Sequence, residues 1–340
     1  MKKFLSVLFV IVLSLALAAC GGGNEPAENE GGEEAAEVIT LRLAHHLPET
    51  DSNNQLALKF KENLEAKTDG QVVVEIYPNG QLGGQLDLLE AIKLGTVEMS
   101  MSDTGLLANY EPAIGILDMP YVFDSVEHAK VVMSGDIGQQ LKDKVAATSG
   151  IRPITLEGVA FRNTFLKDVM IESLEDFKGI KVRTPNAPSI IATFDALGAN
   201  PTAIPSGEAY TAIQTGVVNG MEGNPEFLSS IKIHEVANNW FETQHIMTCT
   251  ALNISDKVYS ELSEDIQVAI NESAEEALGY FYEFAGNADS EKREFLKEQG
   301  VNFYTLDKGP FREAVAPMVE EFVSEKGIED IYQAIKDVRE

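Results

Sequence analysis

The longest regular pattern in the sequence lies near its C-terminal end and constrains the fold most strongly. From Ser263 to about Gln299, apolar residues recur every three or four positions, which predicts one amphipathic helix. Ser263 can start this helix, and Gly300 is a natural C-cap. At 1.5 Å per residue, about 37 residues would span ~55 Å, which exceeds the width of one small domain. Unless Gly279 and Gly286 break it, the helix must run across two domains.

The segments before this helix alternate between strand and helix patterns. Strands are predicted at Val38–Ala44, Gln71–Tyr77 and Val97–Met101, with helices between them, and this order is typical of a parallel sheet flanked by helices. The second half repeats the style, with predicted strands at Ile151–Leu156, Ile180–Arg183, Asn200–Ile204, Val217–Met221, Ile246–Ile254 and Val301–Leu306. At ~150 residues per domain, 340 residues allow about two domains. No Gly/Pro-rich linker separates them, so we expect an α/β fold whose domains are joined by several crossings.

The N-terminal segment has the pattern of an export signal. It reads MKKFLSVLFVIVLSLALAAC, with two lysines, an apolar stretch and small residues before Cys20. Its end resembles the bacterial lipobox, which implies cleavage before Cys20 and a diacylglycerol anchor on the thiol; the alternative is a plain cleaved signal with an incidental cysteine. Residues 21–37 contain six Glu and no large apolar residue, so they are predicted to be a solvated tether. We therefore expect a signal peptide over 1–19 and a lipidated cysteine with an acidic tether over 20–37. The protein would be lipid-anchored to the outer face of the cytoplasmic membrane, or periplasmic.

Charge and motifs exclude several function classes. Lys plus Arg number 26 against 54 Asp plus Glu, and a net charge of −28 gives no cationic footprint for nucleic acid. The sequence has no G-x-S-x-G elbow, P-loop, G-x-G-x-x-G or H-E-x-x-H motif. The adjacent His45 and His46 point to opposite sides of a strand, so the pair alone is no metal chelate. With two cysteines there is neither a disulfide framework nor a zinc cluster, and Cys249 in an apolar strand is expected to be inert. We expect no metal and no cofactor.

Two arginines stand out among otherwise apolar residues. Arg162 lies in the apolar segment GVAFRNT, and Arg183 lies in GIKVRTP, at the end of a predicted strand. A guanidinium group can hold a carboxylate through two parallel hydrogen bonds, so these residues could form an anion site. The alternative is a pair of structural salt bridges to the plentiful Asp and Glu, and composition alone favours that alternative.

Several separated segments shift this balance, because together they resemble one protein family. FKGIKVRTPNAP, LGANPTAIPSGEAYTAIQTGVVNGMEGNP, YPNGQLGGQLDLLEAIKLGTVEMSMSDTG and EPAIGILDMPYVF are similar to solute-binding subunits of tripartite ATP-independent periplasmic (TRAP) transporters, the DctP family. The resemblance runs from about Ile39 to the C-terminus. It implies a two-lobed, periplasmic-binding-protein-like α/β fold with mixed sheets, a central cleft and a long helix spanning both lobes. Lobe I would comprise residues 38–160 and about 249–290, and lobe II about 161–248 and 291–340.

The same resemblance implies a set of ligand contacts on both sides of the cleft. Arg183 would be the principal carboxylate clamp, and Arg162 a second cationic contact. The other implied contacts are Asn186, Ser206, Glu222, Asn224 and His245 from lobe II, and His45 or His46, Gln85 and Asp103 from lobe I. One extra residue between Glu222 and Asn224, relative to the family pattern, leaves open which of the two faces the ligand.

The implied function is capture of an organic acid by lobe closure, without catalysis, and its delivery to TRAP membrane subunits. The acidic side chains of Asp103 and Glu222 would repel a second carboxylate and would suit hydroxyl groups. The sequence therefore favours a sugar acid such as a uronate or aldonate over a C4-dicarboxylate. Two other readings stay open: an extracytoplasmic sensor subunit with the same fold and, with less support, a surface-anchored hydrolase.

Overall fold

The computed structural model describes residues 38–339, so the predicted signal peptide, Cys20 and the tether lie outside the described residues. In this part of the chain the strands are β1 Ile39–Ala44, β2 Val72–Tyr77, β3 Met99–Asp103, β4 Ile151–Pro153, β5 Glu157–Leu166, β6 Lys181–Thr184, β7 Asn200–Ala203, β8 Gly220–Gly223, β9 Asn239–Ser255 and β10 Asn302–Thr305. The α-helices are α1 Ser52–Lys67, α2 Gln85–Leu94, α3 Thr104–Leu107, α4 Val126–Ser134, α5 Asp136–Ser149, α6 Pro188–Ala196, α7 Ser206–Gln214, α8 Pro225–Ser230, α9 Asp256–Glu261, α10 Glu264–Glu298, α11 Gly309–Lys326 and α12 Glu329–Asp337. None of the helices over 38–339 is long and apolar enough to cross a membrane.

The strands form one mixed sheet with a parallel group at each end. Its order is β2-β1-β3-β9-β5-β8-β6-β7, and β4 and β10 also pair with β9. Strands β2, β1 and β3 are parallel to one another, as are β8, β6 and β7. The central strands β9 and β5 pair antiparallel with each other and with their outer neighbours β3 and β8. This confirms the predicted α/β fold with a mixed sheet and two lobes, one around each parallel group.

The long C-terminal helix is continuous, as the sequence predicts. Helix α10 runs unbroken for 35 residues, which corresponds to ~52 Å, and contains Gly279 and Gly286 in its interior. Its buried face, with Ala274, Ala277 and Phe281 among other residues, packs on α1 beside the first parallel group. It also contacts α8, which follows the second parallel group. The helix therefore spans both lobes.

Strand β9 is nearly twice as long as the sequence predicts. The apolar run Ile246–Ile254 indicates only its second half, whereas the strand begins at Asn239 and has 17 residues. The first half contains several polar residues, so it lacks the apolar run. It is held in the sheet by β10, whose Phe303 pairs with Trp240 and stacks on its ring at a centroid distance of 5.5 Å.

Three other predictions of strands need correction. The sequence pattern misses β5, because this strand is buried on both faces between β9 and β8 and shows no alternation; only Phe161 is partly exposed. The predicted strand Ile151–Leu156 ends at Pro153, because the regular ladder stops there: the N–H groups of Ile154 and Thr155 both donate to the carbonyl oxygen of Leu252. The predicted strand Val217–Met221 begins later, at Gly220, because the residues before it form the turn that leaves α7.

Candidate functional site

Two adjoining cavities lie between the lobes. The inner one has about 30 Å³ open to water, and the outer one about 770 Å³. The inner cavity is lined by His46, Leu47, Asp51, Asn53, Gln85, Asp103, Val159, Arg162, Arg183, Pro185, Ser206, Asn224, Glu226, Phe227, Thr248 and Thr250. The two cavities share the lining residues His46, Gln85, Arg183, Pro185 and Ser206, which therefore stand where one cavity meets the other. The lining residues come from both parallel groups of strands and the loops beside them.

Arg183 is a buried cation without an acidic partner among residues 38–339. It lies on β6, is 3% exposed and lines both cavities. Its Nε donates a hydrogen bond to the carbonyl oxygen of Ile204 at 2.7 Å, and this bond orients the guanidinium group. Burial lowers the pKa of Arg183 to about 10, so the group stays charged at neutral pH. A buried charge needs a counter-ion, and here the cavities offer the place for one.

Arg162 differs from Arg183 because its charge is compensated within the protein. It lies on β5 and lines the inner cavity, but its Nε and Nη2 donate to the two carboxylate oxygens of Glu222, with Nη2–Oε1 at 2.6 Å. Burial alone would raise the pKa of Glu222, but the charge of Arg162 and its hydrogen bonds lower it to about 2. The pair is therefore ionised over the whole neutral range. For Arg162, the structure thus has the salt bridge that the sequence analysis gave as the alternative to an anion site.

Glu222 and His245 lie behind the cavity wall. Both are fully buried, with His245 Nε2 at 3.6 Å from Glu222 Oε2, and neither lines a cavity. His245 Nδ1 is 2.8 Å from Thr243 Oγ1, and burial lowers the pKa of His245, so the ring is neutral at pH 7. These side chains support Arg162 rather than face the cleft.

Asn224, not Glu222, is on the cavity wall. It is the N-cap of α8, where its Oδ1 accepts a hydrogen bond from Phe227 N at 2.8 Å. Its Nδ2 donates to Thr248 Oγ1 at 3.1 Å. Because both ends of the amide are engaged, Asn224 is held in one orientation at the edge of the inner cavity.

On the opposite wall, three predicted residues form one hydrogen-bonded group. Gln85 Nε2 lies 3.2 Å from His46 Nε2 and 3.4 Å from Asp103 Oδ2, and Gln85 Oε1 accepts from Asp103 N at 2.8 Å. Burial lowers the pKa of His46 to about 4, so this ring is neutral at pH 7. His45 points the other way, as expected for neighbours on an extended chain: it is fully buried, 3.1 Å from Asn54 Oδ1, and lines neither cavity.

The remaining predicted residues occupy the outer cavity. Ser206 lines both cavities, at the start of α7. Asn186 lines only the outer cavity, is exposed, and accepts a hydrogen bond on its carbonyl oxygen from Asn109 Nδ2 at 3.1 Å.

Sequence reasoning missed several polar residues of the inner cavity: Asp51, Asn53, Glu226, Thr248 and Thr250. Asp51 reads as a helix cap, and it does accept a hydrogen bond from Asn53 N at 2.9 Å. Thr248 and Thr250 could have been found from the alternation of β9, because residues two apart share a face of a strand. Cys249 between them points away and donates to Leu117 O at 3.4 Å; burial raises the pKa of its thiol, which leaves it protonated.

The acidic lining residues do not form a metal site. Across residues 38–339, no group of three or more His, Cys, Asp or Glu side chains is arranged to hold a metal ion. The polar lining instead consists of single acceptors and donors spread around the cavity wall.

Known proteins of one family match this chain along almost all of its described residues. Residues 43–326 match the family described as bacterial extracellular solute-binding protein, family 7 (DctP). A solute-binding protein of Roseobacter denitrificans is 34% identical over 291 residues, which are 86% of this chain and 89% of that protein. The 2,3-diketo-L-gulonate-binding periplasmic protein of Escherichia coli is 28% identical over 304 residues, 88% of this chain and 92% of that protein.

Two solved structures have the same fold and contain a bound sugar acid. A TRAP periplasmic solute-binding protein from Xanthobacter autotrophicus, with bound β-D-galacturonate, superposes with a TM-score of 0.85 at 27% identity and covers 88% of this chain and 100% of its own. The protein from Roseobacter denitrificans with bound L-galactonate gives a TM-score of 0.81 at 32% identity, over 89% of this chain and 99% of its own.

Proposed function

This chain belongs to family 7 of the bacterial extracellular solute-binding proteins, the DctP family, and on that premise we propose that it captures a sugar acid and delivers it to the membrane subunits of a TRAP transporter. The observation that carries the proposal is Arg183, a buried guanidinium without an acidic partner in residues 38–339, at the junction of two cavities. A monoanionic solute would supply the missing counter-ion. The relatives with bound galacturonate and L-galactonate support a sugar acid as that solute.

The polar lining of the inner cavity favours a solute with many hydroxyl groups. With its carboxylate on Arg183, the solute would contact Asn224 and Thr248 on one wall and Gln85 on the other, and the inner cavity of about 30 Å³ would have to widen to admit it. Each of these side chains can exchange hydrogen bonds with hydroxyls, and a buried polar group left without such a bond is costly. These side chains already bond within the protein, but each amide and hydroxyl can form one more hydrogen bond, which a uronate or aldonate offers and an apolar solute does not.

Binding would drive closure of the two lobes, for which we propose the boundaries expected from the family: 38–160 with about 249–290, and about 161–248 with 291–340. A solute held between the lobes binds the closed state more tightly than the open one, and this difference in affinity shifts the population. One bridge already joins the two sides: Ser52, at the start of α1, donates from its N and Oγ to Glu226 of α8 at 2.9 and 2.7 Å. The closed surface would then be presented to the membrane subunits.

The proposed role is binding without catalysis. Cys249 and His245 line neither cavity, so neither could reach a bound solute as a nucleophile or base. The solute-binding relatives support release of the solute chemically unchanged.

A calorimetric and thermal-shift panel tests the proposed function. We expect D-glucuronate, D-galacturonate or L-galactonate to bind with a Kd in the micromolar range, ~8 kcal/mol of binding free energy. Glucose lacks the carboxylate and succinate lacks the hydroxyls, so both should bind at least ~100-fold more weakly. Equal binding of glucose, or no binding by any sugar acid in a panel of uronates and aldonates, would contradict the proposal.

We further propose that the mature protein is held at the membrane by a lipid on Cys20. The supporting observation is the Leu-Ala-Ala-Cys ending of the apolar N-terminal segment. In a bacterial host, the full chain should incorporate labelled palmitate and fractionate with membranes, because acyl chains contribute ~0.8 kcal/mol per buried CH₂. Cys20→Ala should abolish the labelling, whereas Cys249→Ala should not. Labelling that persists in Cys20→Ala would refute the anchor.

A further inference from the structure

The inner cavity carries charges of both signs on its wall. Arg183 lines both cavities and so lies where they meet. Asp51 and Glu226 line only the inner cavity and are not among the charged groups that act on Arg183, so they lie apart from it on the cavity wall. Both acids are buried, at 3% and 6% exposure. A solute that binds Arg183 through its carboxylate would therefore direct its other end toward two carboxyl groups.

These two carboxyl groups are held in place by the N-terminus of α1. Asp51 Oδ1 accepts hydrogen bonds from Asn53 N at 2.9 Å and from Asn53 Nδ2 at 3.0 Å. Glu226 accepts from Ser52 N at 2.9 Å and from Ser52 Oγ at 2.7 and 2.8 Å. The N-terminal end of a helix stabilises negative charge, so the geometry suits carboxylates that accept hydrogen bonds. Neither side chain can turn away from the cavity without losing these bonds.

Other charged groups near the pair do not neutralise it. The charge of Lys292 of α10 lowers the pKa of both acids, whereas the charge of Asp103 of β3 raises the pKa of Asp51. Burial raises the pKa of both acids, and the charge of Asp51 adds to the effect on Glu226, whose pKa rises to about 7. Two carboxyl groups that interact in this way titrate as a pair, and the hydrogen bonds that they accept from Asn53 and Ser52 favour their ionised forms.

We propose that Asp51 and Glu226 restrict the site to monocarboxylates: they accept hydrogen bonds from the hydroxyl end of the solute and reject a solute that carries carboxylates at both ends. This inference rests on the proposed function and adds a specificity rule to it. A hydroxyl donates to these acceptors, whereas a second carboxylate has no proton to donate and meets like charge in a buried place. Aldarates and C4-dicarboxylates are thereby excluded, and aldonates and uronates are admitted.

A matched pair of solutes tests the rule on the full chain. Galactarate differs from L-galactonate only in having a carboxylate where L-galactonate has its terminal CH₂OH. By calorimetry we expect galactarate to bind wild type at least 100-fold more weakly. In Glu226→Gln and in Asp51→Asn this ratio should fall at least tenfold, because the amide removes the charge and retains an acceptor. Glu111→Gln changes another carboxylate that caps a helical turn, outside both cavities, and should leave the ratio unchanged.

Each outcome separates the specificity rule from the proposed function. If no sugar acid binds wild type, the proposed function fails. If L-galactonate and galactarate bind wild type equally, or if both variants keep the full ratio, the rule is overturned while sugar-acid capture stands. Thermal unfolding establishes that the variants fold.

A measurement on wild type alone covers the case in which the variants do not fold. Protonation of Glu226 reduces the negative charge on this part of the cavity wall. The groups facing the pair besides Lys292 and Asp103 are the permanently charged Arg162 and Arg183 and the neutral His46. The galactarate-to-L-galactonate ratio of Kd should therefore fall at least threefold from pH 8 to pH 6. A ratio that is constant over this range would overturn the rule.

Discussion

Replacement of Arg183 by glutamine is expected to abolish measurable binding of the sugar acid without destabilising the free protein. Truncating one partner of a buried, hydrogen-bonded charge pair costs about 2–5 kcal/mol, so affinity should fall at least ~30-fold. The free protein should keep its Tm or gain slightly, because Arg183 is a buried charge with no acidic partner in residues 38–339 and burial lowers its pKa to about 10. Calorimetry with the best-binding sugar acid and thermal unfolding without it measure the two effects.

Two further variants make this result specific. Arg183→Lys keeps the charge but loses the planar fork, so it should bind with intermediate affinity. Arg152→Gln removes an arginine that is paired with Asp256 outside both cavities, and it should leave binding intact. Wild-type affinity in Arg183→Gln would show that the clamp has been assigned to the wrong residue.

Replacement of Glu222 by glutamine is expected to have the opposite profile, with a large loss of stability. Breaking a buried ion pair by neutralising one member costs about 3–5 kcal/mol, because Arg162 is left as an uncompensated buried charge. For a domain of this size we expect Tm to fall by roughly 10 °C. Thermal unfolding at pH 7, without ligand, measures the loss.

The pH dependence of this loss has a definite sign. In the fold the pKa of Glu222 lies at about 2, below its unfolded value of 4.5, so its contribution to stability is present above pH 4.5. The contribution is lost as the pH falls from about 4.5 toward 2, and the gap between wild type and Glu222→Gln should close over that window. A double variant, Arg162→Met with Glu222→Met, removes both charges and should recover much of the stability. If Glu222→Gln were as stable as wild type at pH 7, the pair would contribute nothing.

The sequence identified the residue types of the site better than their roles. Arg183 could be found because it stands in a distinctive segment, KVRTP, at the end of a strand. The same reasoning could not tell that Arg162 is neutralised, because that depends on how β5 and β8 are paired. In the structure Thr164 lies opposite Glu222, which brings the carboxylate within reach of Arg162 two residues away. Since the pattern of β5 does not alternate, neither the strand nor its register could be predicted.

The missed acids illustrate a second limit. Asp51 is consistent with an ordinary N-cap, and Glu226 with an ordinary first-turn acid, so local patterns explain both without a ligand. They are brought together through Ser52, which donates to Glu226 at a position 174 residues further along the chain. Local periodicity, by contrast, was sufficient for α10, because one apolar face over 35 residues leaves no alternative to a continuous helix. Local patterns in the sequence therefore predicted the helix, but they could not predict which distant residues come into contact.

The central strands have a mechanical consequence. Strand β9 passes from one parallel group to the other over 17 residues, interrupted by one left-handed residue at Gln244 (φ 44°), and α10 accompanies it as a single helix. Relative movement of the two halves would have to bend these elements, because both continue through the middle of the fold, and Gln244 is the irregular point of the strand. The proposed closure would therefore store bending energy in these elements, and that energy would favour reopening after the proposed release of the solute.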